Sequence, residues 1–329
     1  MPFIAHNKKA CVLRLSLIWI VLMAFGAQAS GAGETVTVYK KGDPNAAHGF
    51  GVGIEAVRKE NDDVIAIPLG KADDVYNYIK DKYYNHTNFL KAQYPDLHLT
   101  AKIEDDSFSD DYFDTPNLDL FAKENSLRHR TRIDLGNSLD PKNGRELVQL
   151  KLSHDVHNAE VRDEYKFAVQ PHPTNFYKKR VRNLDAVHPL IAVIPPKQRT
   201  QFEQEVLKLD IDPYRLRSIF TLTQHRRRVY IYWDDVFIVS LSVDEANVNR
   251  LWTHISFSGM EQQLNEIPYT QGDDASKQKM IEIRKTIIDD LKANKPYVTV
   301  NQTPKYVEGF DLLEQHMPFL RTLIRWNIL

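Results

Sequence analysis

The sequence predicts an α+β protein organised around long antiparallel β-strands, and two observations lead to this class. First, five segments in the middle of the 329-residue chain alternate apolar with charged or polar residues. This is the period of a strand with two unlike faces. Second, four other segments repeat apolar residues at the three- and four-residue spacing of amphipathic helices. These helical segments are residues 71–94, 197–209, 274–294 and 309–324.

The first 29 residues predict a secretory signal peptide. Lys8 and Lys9 give a positively charged start, residues 11–25 are mostly apolar, and residues 27–29 (Ala-Gln-Ala) form a small-x-small cleavage site. The apolar run after Arg14 is shorter than the roughly 20 residues that a membrane-spanning helix needs. We therefore expect cleavage after Ala29, a secreted or periplasmic mature protein, and no stable membrane anchor after cleavage.

The charge balance argues against nucleic acid as a partner. The chain has 43 basic and 44 acidic residues, and removing residues 1–29 deletes three basic and no acidic residues, which leaves a formal charge of −4. Any positive potential must therefore be local, because a mildly acidic chain repels a phosphate backbone. The single cysteine, Cys11, lies in the signal peptide. The mature chain is thus expected to hold no disulfide, thiolate metal site or cysteine nucleophile.

After the helix of residues 71–94, a β-prone run ends at Pro116 and a basic strand follows at residues 126–132. This strand has arginine at every second position, on one face: Arg128, Arg130 and Arg132. Three guanidinium groups on one face repel one another unless an anion lies among them, and each binds phosphate oxygens through paired hydrogen bonds. An ordinary charged edge strand is the alternative interpretation.

Four later segments show the same two-faced pattern. Their polar faces carry Lys151 in residues 148–152; Arg162, Glu164 and Lys166 in residues 160–166; Arg226 and Arg228 in residues 224–232, with Arg227 on the opposite face; and Ser240, Ser242 and Asp244 in residues 239–244. An open sheet would turn these faces to water, whereas a closed barrel would line a polar tunnel with them. A tunnel lined by arginine and lysine with a few carboxylates suits a polyphosphate held with metal ions.

Five motifs follow one another in a characteristic order: Tyr112-Phe-Asp-Thr-Pro116, Ser126-Leu-Arg-x-Arg130, Leu150-Lys-Leu152, Arg162-x-Glu164, and a basic strand leading to Val243-Asp-Glu245. This order resembles the CYTH family, also called triphosphate tunnel metalloenzymes, from about residue 50 to about residue 250. The resemblance implies an antiparallel eight-stranded β-barrel, a triphosphate tunnel, with covering helices. It also implies a divalent metal and an elongated triphosphate or polyphosphate ligand.

Carried over position by position, the resemblance assigns basic residues to phosphate binding and acidic residues to metal binding. The phosphate-binding candidates are Lys59, Arg128, Arg130, Lys151, Arg162, Arg226 and Arg228. The metal-binding candidates are Glu55, Glu164 and Asp244, and the expected cofactor is Mg²⁺ or Mn²⁺. The expected ligand is a small anion, namely tripolyphosphate, a nucleoside triphosphate or polyphosphate. No catalytic residue is assigned.

Two stretches depart from the family pattern. The family begins with a Glu-x-Glu-x-Lys strand, but here Val57 stands in place of the second glutamate between Glu55 and Lys59. The family's last Glu-x-Glu strand corresponds to residues 251–257, which hold no carboxylate. Residues 63–69 are an alternative first strand, also without this motif. Metal affinity is expected to fall unless nearby acids compensate, the candidates being Glu104, Asp105 and Asp106.

The predicted organisation has four parts: the signal peptide at residues 1–29, a linker at 30–49, the tunnel domain at 50–262 and a helical extension at 263–329. The two C-terminal helices are expected to pack on the outside of the barrel, because amphipathic helices usually face their own core. Pro318 is expected to kink or divide the second of them.

Two classes of function remain open. In the first, the protein is an enzyme, a metal-dependent triphosphatase or phosphohydrolase that cleaves a phosphoanhydride. In the second, it is a non-catalytic tunnel that binds polyphosphate or another polyanion after losing metal-binding carboxylates. At least three carboxylates converging near one tunnel mouth would favour the enzyme.

Overall fold

The computed structural model describes residues 58–86, 88–134, 146–155, 158–170, 188–265, 268–269, 272–301 and 303–326. The predicted signal peptide, the linker and Glu55 lie outside these ranges. Within them, no helix is long and apolar enough to cross a membrane.

Within the described ranges, nine antiparallel strands form one sheet. They are β1 (Arg58–Ile67), β2 (Leu99–Asp114), β3 (Ser126–Asp134), β4 (Glu146–Asp155), β5 (Asn158–Ala168), β6 (Arg217–Trp233), β7 (Val236–Arg250), β8 (Thr253–Leu264) and β9 (Thr299–Val300). Their order across the sheet is β5-β4-β3-β2-β6-β7-β8-β1-β9, and β5 pairs in addition with β1. The predicted class, an antiparallel sheet with helices, is confirmed, and the two-residue β9 is a strand that the sequence did not predict.

In the described residues, helices lie between the strands and after the last of them. They are α1 (Ala72–Ile79), α2 (Asn88–Gln93), α3 (Pro189–Val193), α4 (Pro196–Leu207), α5 (Asp274–Asn294), α6 (Lys305–His316) and α7 (Leu320–Arg325), with a π-helical turn at Lys80–Asn85 and 3₁₀ turns at Phe121–Lys123 and Pro213–Arg215.

Two predicted helices are each divided in the structure. The segment 71–94 contains α1, the π-helical turn and α2, and the turn carries the fully buried Tyr83. The Tyr83 hydroxyl donates to Asp290 of α5 at 2.6 Å, so this interruption of the α-helix coincides with a tertiary contact. The segment 309–324 is divided between α6 and α7 around Pro318, as predicted.

One face of the sheet, the apolar face, is covered by helices. Buried residues of β1, β6, β7 and β8 pack against α1 and α5 in one core cluster, with Ile65, Val229 and Leu241 among them. Residues of β3, β4 and β5 pack against α3 and α4 in another. This packing follows from the alternation of the strands, which turns every second side chain toward the helices.

The opposite face, the polar face, holds the charged residues of the site and has an apolar cluster at one end. In that cluster Tyr112, Phe220 and Val248 of the sheet pack against Tyr306 and Phe310 of α6. The expectation that both C-terminal helices pack on the outside is therefore wrong for α6, which covers part of the polar face. The apolar residues of α6 are buried there because the strands end in apolar rather than charged residues at this point.

Candidate functional site

The polar face collects charged side chains that are almost entirely buried. Its described cations are Arg128, Arg130, Arg132, Lys151, Lys166, Arg226, Arg228 and Lys305, and its carboxylates are Glu104, Asp106, Asp110, Glu164, Asp244 and Glu261. Buried ions are costly unless each is paired, so the pairing pattern defines the site. The charges form four clusters.

The first cluster is centred on Asp110 of β2, whose side chain has no exposed area. Arg130 donates to both Asp110 oxygens, from Nε and Nη2, at 2.6 Å each, and Arg128 Nη1 donates at 3.0 Å. Gln224 Nε2 donates at 2.8 Å. Burial raises the pKa of Asp110, but the Arg128 and Arg130 guanidinium groups outweigh it and hold that pKa below its ordinary value.

Phe108 fixes the orientation of two of these cations. The guanidinium carbon of Arg130 lies 3.8 Å from the centroid of the Phe108 ring, and that of Arg226 lies 5.4 Å from it. An aromatic face attracts a guanidinium and leaves its N–H groups free to donate in the ring plane. The ring therefore links the first cluster to the second.

The second cluster joins Asp244 of β7 and Glu261 of β8. Arg226 donates to Asp244 through Nε at 2.5 Å and Nη2 at 2.6 Å, and to Glu261 through Nη2 at 2.9 Å. Lys305 of α6 lies 2.8 Å from the other Glu261 oxygen and also donates to Asp244. Burial raises the pKa of each carboxyl, but the positive charges of Arg226 and Lys305 lower it by more than burial raises it. Both carboxyls therefore have a pKa below the ordinary value.

The third cluster holds the acids Glu104 and Asp106 of β2. Arg228 Nη1 donates to Glu104 at 2.8 Å and to Asp106 at 3.1 Å, and the Tyr230 hydroxyl donates to Glu104. Burial and the charge of Glu104 raise the pKa of Asp106, whereas Arg228 helps to hold the pKa of Glu104 below its ordinary value despite burial. Arg132 lies 3.6 Å from Asp106.

The fourth cluster surrounds Glu164 of β5. Lys166 Nζ lies 2.6 Å from Glu164 Oε2, and Lys151 Nζ lies 3.7 Å from Oε1. Gln149 donates to Glu164 and accepts a hydrogen bond of 2.6 Å from Arg128 Nε. Through Gln149, this cluster is connected to the Asp110 cluster.

Most of the predicted site residues lie together on the polar face. These are Arg128, Arg130, Lys151, Glu164, Arg226, Arg228 and Asp244. In the pairing of β5 with β1, Arg162 is opposite Glu60. Arg162 lies two residues before Glu164 on β5, so the two positions share one face of the strand.

Two predicted residues lie at other register positions. Lys59 is opposite Asp163 in the backbone register of β1 with β5, one position out of phase with the Arg58–Glu164 pair. Asp105, one of the suggested compensating acids, accepts a hydrogen bond from His225 on the opposite face at 2.7 Å. Alternation along β2 explains this, because Glu104 and Asp106 take the polar face. The predicted ligand Glu55 lies outside the described residues.

The structure also adds residues that the sequence did not single out for the site: Asp110, Gln149, Gln224, Glu261 and Lys305. Glu261 lies past the stretch 251–257 in which the last carboxylates were expected, because β8 continues to Leu264. Its signal was visible in the sequence as an acid in phase with Phe257. Lys305 gave no such signal, since it is not on a strand.

The predicted metal ligands that the structure describes, together with Glu261, are not arranged to hold a divalent metal. All four oxygens of Asp244 and Glu261 accept hydrogen bonds or ion pairs from Arg226 or Lys305. Glu164, the other predicted ligand within the described ranges, is paired with Lys166. In the part of the chain that the structure describes, no group of three or more His, Cys, Asp or Glu residues is arranged to hold a metal ion.

Comparison with protein families gives one match, a CYTH domain model over residues 79–288. No curated protein sequence matches the chain.

Solved structures are similar at low identity. An adenylate cyclase candidate from Bacillus halodurans is 14% identical, with a TM-score of 0.37, over 69% of this chain and 90% of that chain. A Hippeastrum adenylyl cyclase candidate with dominant triphosphatase activity is 11% identical, with a TM-score of 0.37, over 77% and 95%. The capping enzyme triphosphatase of Mimivirus is 11% identical, with a TM-score of 0.33, over 71% and 91%.

Proposed function

We propose that this chain, which belongs to the CYTH domain family, binds a triphosphate or a longer polyphosphate on the polar face of its sheet. The observation that carries the proposal is the convergence of Arg128, Arg130, Arg226 and Arg228 from two strands that flank β2. Guanidinium groups bind phosphate oxygens through two parallel hydrogen bonds, and several of them in a row suit a chain of phosphates.

We infer that the eight long strands close into a tunnel around this face. The pairing of β5 with β1, from Arg58–Glu164 to Asn61–Val161, supports closure because β5 otherwise ends the strand order. Closure would turn the four charged clusters toward one another and keep water from them. In such an interior, ion pairs with phosphate are stronger than on an exposed sheet.

A bound polyphosphate would have to compete with the internal carboxylates. Each arginine named above already has a carboxylate partner. A phosphate oxygen that replaces this carboxylate therefore contributes only the difference in interaction free energy between arginine–phosphate and arginine–carboxylate pairing. An orthophosphate ion can contact only one charged cluster. A tripolyphosphate can contact several clusters at once, and it loses translational and rotational entropy only once rather than once per cluster. The site should therefore favour chains of phosphates over single phosphate ions.

Hydrolysis of a terminal phosphoanhydride with Mg²⁺ or Mn²⁺ is the second candidate function, and family membership favours it. The arginines and lysines would stabilise negative charge that develops on the phosphate oxygens. The described carboxylates, however, are arranged for ion pairs rather than for metal coordination, so this candidate rests on the family alone. Its alternative remains a polyphosphate-binding protein without turnover.

Replacement of Arg128 by alanine is expected to weaken tripolyphosphate binding about tenfold, because a charge-assisted hydrogen bond contributes about 1.5–3 kcal/mol and Arg128 gives up part of its bond to Asp110 when it binds phosphate. In this variant Arg130 still pairs with both Asp110 oxygens, so Asp110 is not left as an unpaired buried charge. Binding is measured by calorimetry, and by the rise of the melting temperature with ligand.

Arg227→Ala is the matched control. Arg227 lies on the same strand as Arg226 but pairs with Asp73 and Glu245 on the opposite face. Loss of binding in both variants would point to a general fold defect, and unchanged binding in Arg128→Ala would contradict the proposed site. Orthophosphate at the same concentration should give no comparable rise in melting temperature.

Phosphate release from tripolyphosphate and ATP, with and without Mg²⁺ or Mn²⁺, separates the two candidate functions. Metal-dependent release that is lost in an Arg128→Ala, Arg130→Ala double variant would establish hydrolysis at this site. Binding without release under any metal would establish the non-catalytic protein.

We also propose that the mature protein is exported, on the basis of residues 1–29 alone. N-terminal sequencing of the protein recovered from the periplasm or the medium should begin at residue 30. Recovery of an uncleaved chain from the cytoplasm would contradict this proposal.

A further inference from the structure

We propose that Lys305 is a built-in cation of the Asp244–Glu261 pair and takes the place of a divalent metal there. The inference goes beyond the proposed function and does not require it, because it concerns which cation neutralises two carboxylates. It identifies Lys305, which lies outside the matched residues 79–288, as a residue that sets the cofactor requirement of the polar face.

The contacts of Lys305 are those of a bridging cation. Its Nζ lies 2.8 Å from Glu261 Oε1 and also donates to Asp244 Oδ2, while its side chain is 9% exposed. The Asp244 side chain is 1% exposed and that of Glu261 is 22% exposed. An ammonium shared by two carboxylates of neighbouring strands occupies the position where oxygen ligands would otherwise meet a hard cation.

The charge of this cluster is already balanced. Asp244 and Glu261 carry two negative charges, and Arg226 and Lys305 carry two positive charges. A divalent ion added to this buried group would leave uncompensated positive charge in a poorly solvated place. Without the Lys305 charge, the two carboxylates and Arg226 would carry a net negative charge and would attract a divalent ion.

The position of Lys305 in the fold runs against its local preference. Lys305 is the first residue of α6, and a helix disfavours a cation at its N-terminus because the backbone N–H groups there carry partial positive charge. A nearby anion offsets this unfavourable interaction. The two carboxylates supply it, so the lysine is positioned by the site and not by the helix.

The neighbouring residue fixes α6 against the sheet. The Tyr306 hydroxyl donates to the buried Asp114 at 2.6 Å. The Tyr306 ring stacks on Tyr112 and Phe220, with centroid distances of 5.1 and 5.7 Å. These contacts bury the first turn of α6 next to the end of β2, so Lys305 is held on the polar face rather than on a mobile tail.

Titration with Mn²⁺ in the absence of any phosphate tests the inference, with the bound ion measured by electron paramagnetic resonance. We expect Lys305→Met, which keeps most of the side-chain volume, to bind Mn²⁺ at least tenfold more tightly than the wild type. Adding Asp244→Asn to this variant should remove the gain. Lys305→Arg, which restores the charge, should bind no more tightly than the wild type.

Lys295→Met is the matched control, because Lys295 also pairs with a carboxylate, Asp74, but on the opposite side of the sheet from Lys305. It should leave Mn²⁺ affinity unchanged. The inference is overturned if Lys305→Met gains no affinity, or if the gain survives Asp244→Asn. It is also overturned if the wild type itself binds Mn²⁺ and Asp244→Asn abolishes this binding. That test does not depend on whether Lys305→Met folds. None of these readouts involves a phosphate ligand, so failure here is distinguishable from failure of the proposed function.

Discussion

Replacement of Asp110 by alanine is expected to lower the free energy of unfolding by about 3–5 kcal/mol, the cost of leaving a buried charge without its partner. Asp110 is fully buried and accepts hydrogen bonds from Arg128, Arg130 and Gln224. Its removal leaves two neighbouring guanidinium groups without their shared anion. They then repel each other in a place where water screens them poorly. Urea unfolding at neutral pH measures the loss.

Asp105→Ala is the matched control for this substitution. It lies on the same strand but on the opposite face, with its side chain 50% exposed and paired with His225. An exposed pair of this kind contributes about 0–1 kcal/mol, so a small change is expected. Tripolyphosphate should restore part of the stability of Asp110→Ala, because a phosphate can replace the missing carboxylate between the arginines. Equal effects of the two substitutions would contradict the central role of Asp110.

Acid should reduce the difference between the wild type and an Asp110→Asn variant. The pKa of Asp110 in the folded protein lies below its ordinary value, so the unfolded chain takes up a proton at higher pH than the folded protein does. The stabilisation is complete above the unfolded-state pKa of about 3.9 and is lost as the pH falls through the folded-state value. The difference in unfolding free energy should thus be constant from pH 5 to 7 and narrow below about pH 4. A difference that stays constant down to pH 3 would contradict this assignment of the pKa.

The alternation of residues along single strands could be predicted from the sequence, because it depends on local geometry alone. It placed Arg128, Arg130, Arg226 and Asp244 on the polar face and Arg227 on the other. The match of the CYTH model to residues 79–288 confirms the resemblance drawn from the spacing of these residues.

Partners across strands could not be predicted, because they depend on register. The register of β2 with β3 places Asp110 opposite Arg130, and it shifts by one residue farther along, between Ser107 and Phe108. The pairing of β1 with β5 shows the same limit, since a single step of register moves every side chain of a strand to the other face.

Contacts from outside the sheet were still less accessible. The sequence does not point to Glu261, because the family pattern places the last strand at residues 251–257. In the structure, Leu251 lies in the turn before β8, and β8 continues to Leu264. Lys305 was missed because its position depends on how α6 packs against the sheet. No spacing within a strand encodes that packing, and the general expectation for amphipathic helices placed α6 on the other side.

Replacement of Asp114 by alanine is expected to have the second large effect, a loss of about 3 kcal/mol or more in the free energy of unfolding, because buried donors left without an acceptor cost about 1–3 kcal/mol each. Asp114 accepts hydrogen bonds from the backbone N–H groups of Thr115, Leu120 and Phe121 and from the Tyr306 hydroxyl. It therefore orders the turn between β2 and β3 and also holds α6.

A double-mutant cycle with Tyr306→Phe separates these two roles of Asp114. Tyr306→Phe removes only the hydroxyl, so it should lower the free energy of unfolding by about 1–2 kcal/mol. The decrease should be much smaller when Asp114 is already alanine. Asp119→Ala is the control within the same turn, since Asp119 accepts from Thr115 at 2.5 Å and is only half-buried. Additive effects of Asp114→Ala and Tyr306→Phe would mean that α6 is held by the stacked rings and not by this hydrogen bond. A clear coupling would instead show that the carboxylate at the end of β2 fixes the helix that carries Lys305.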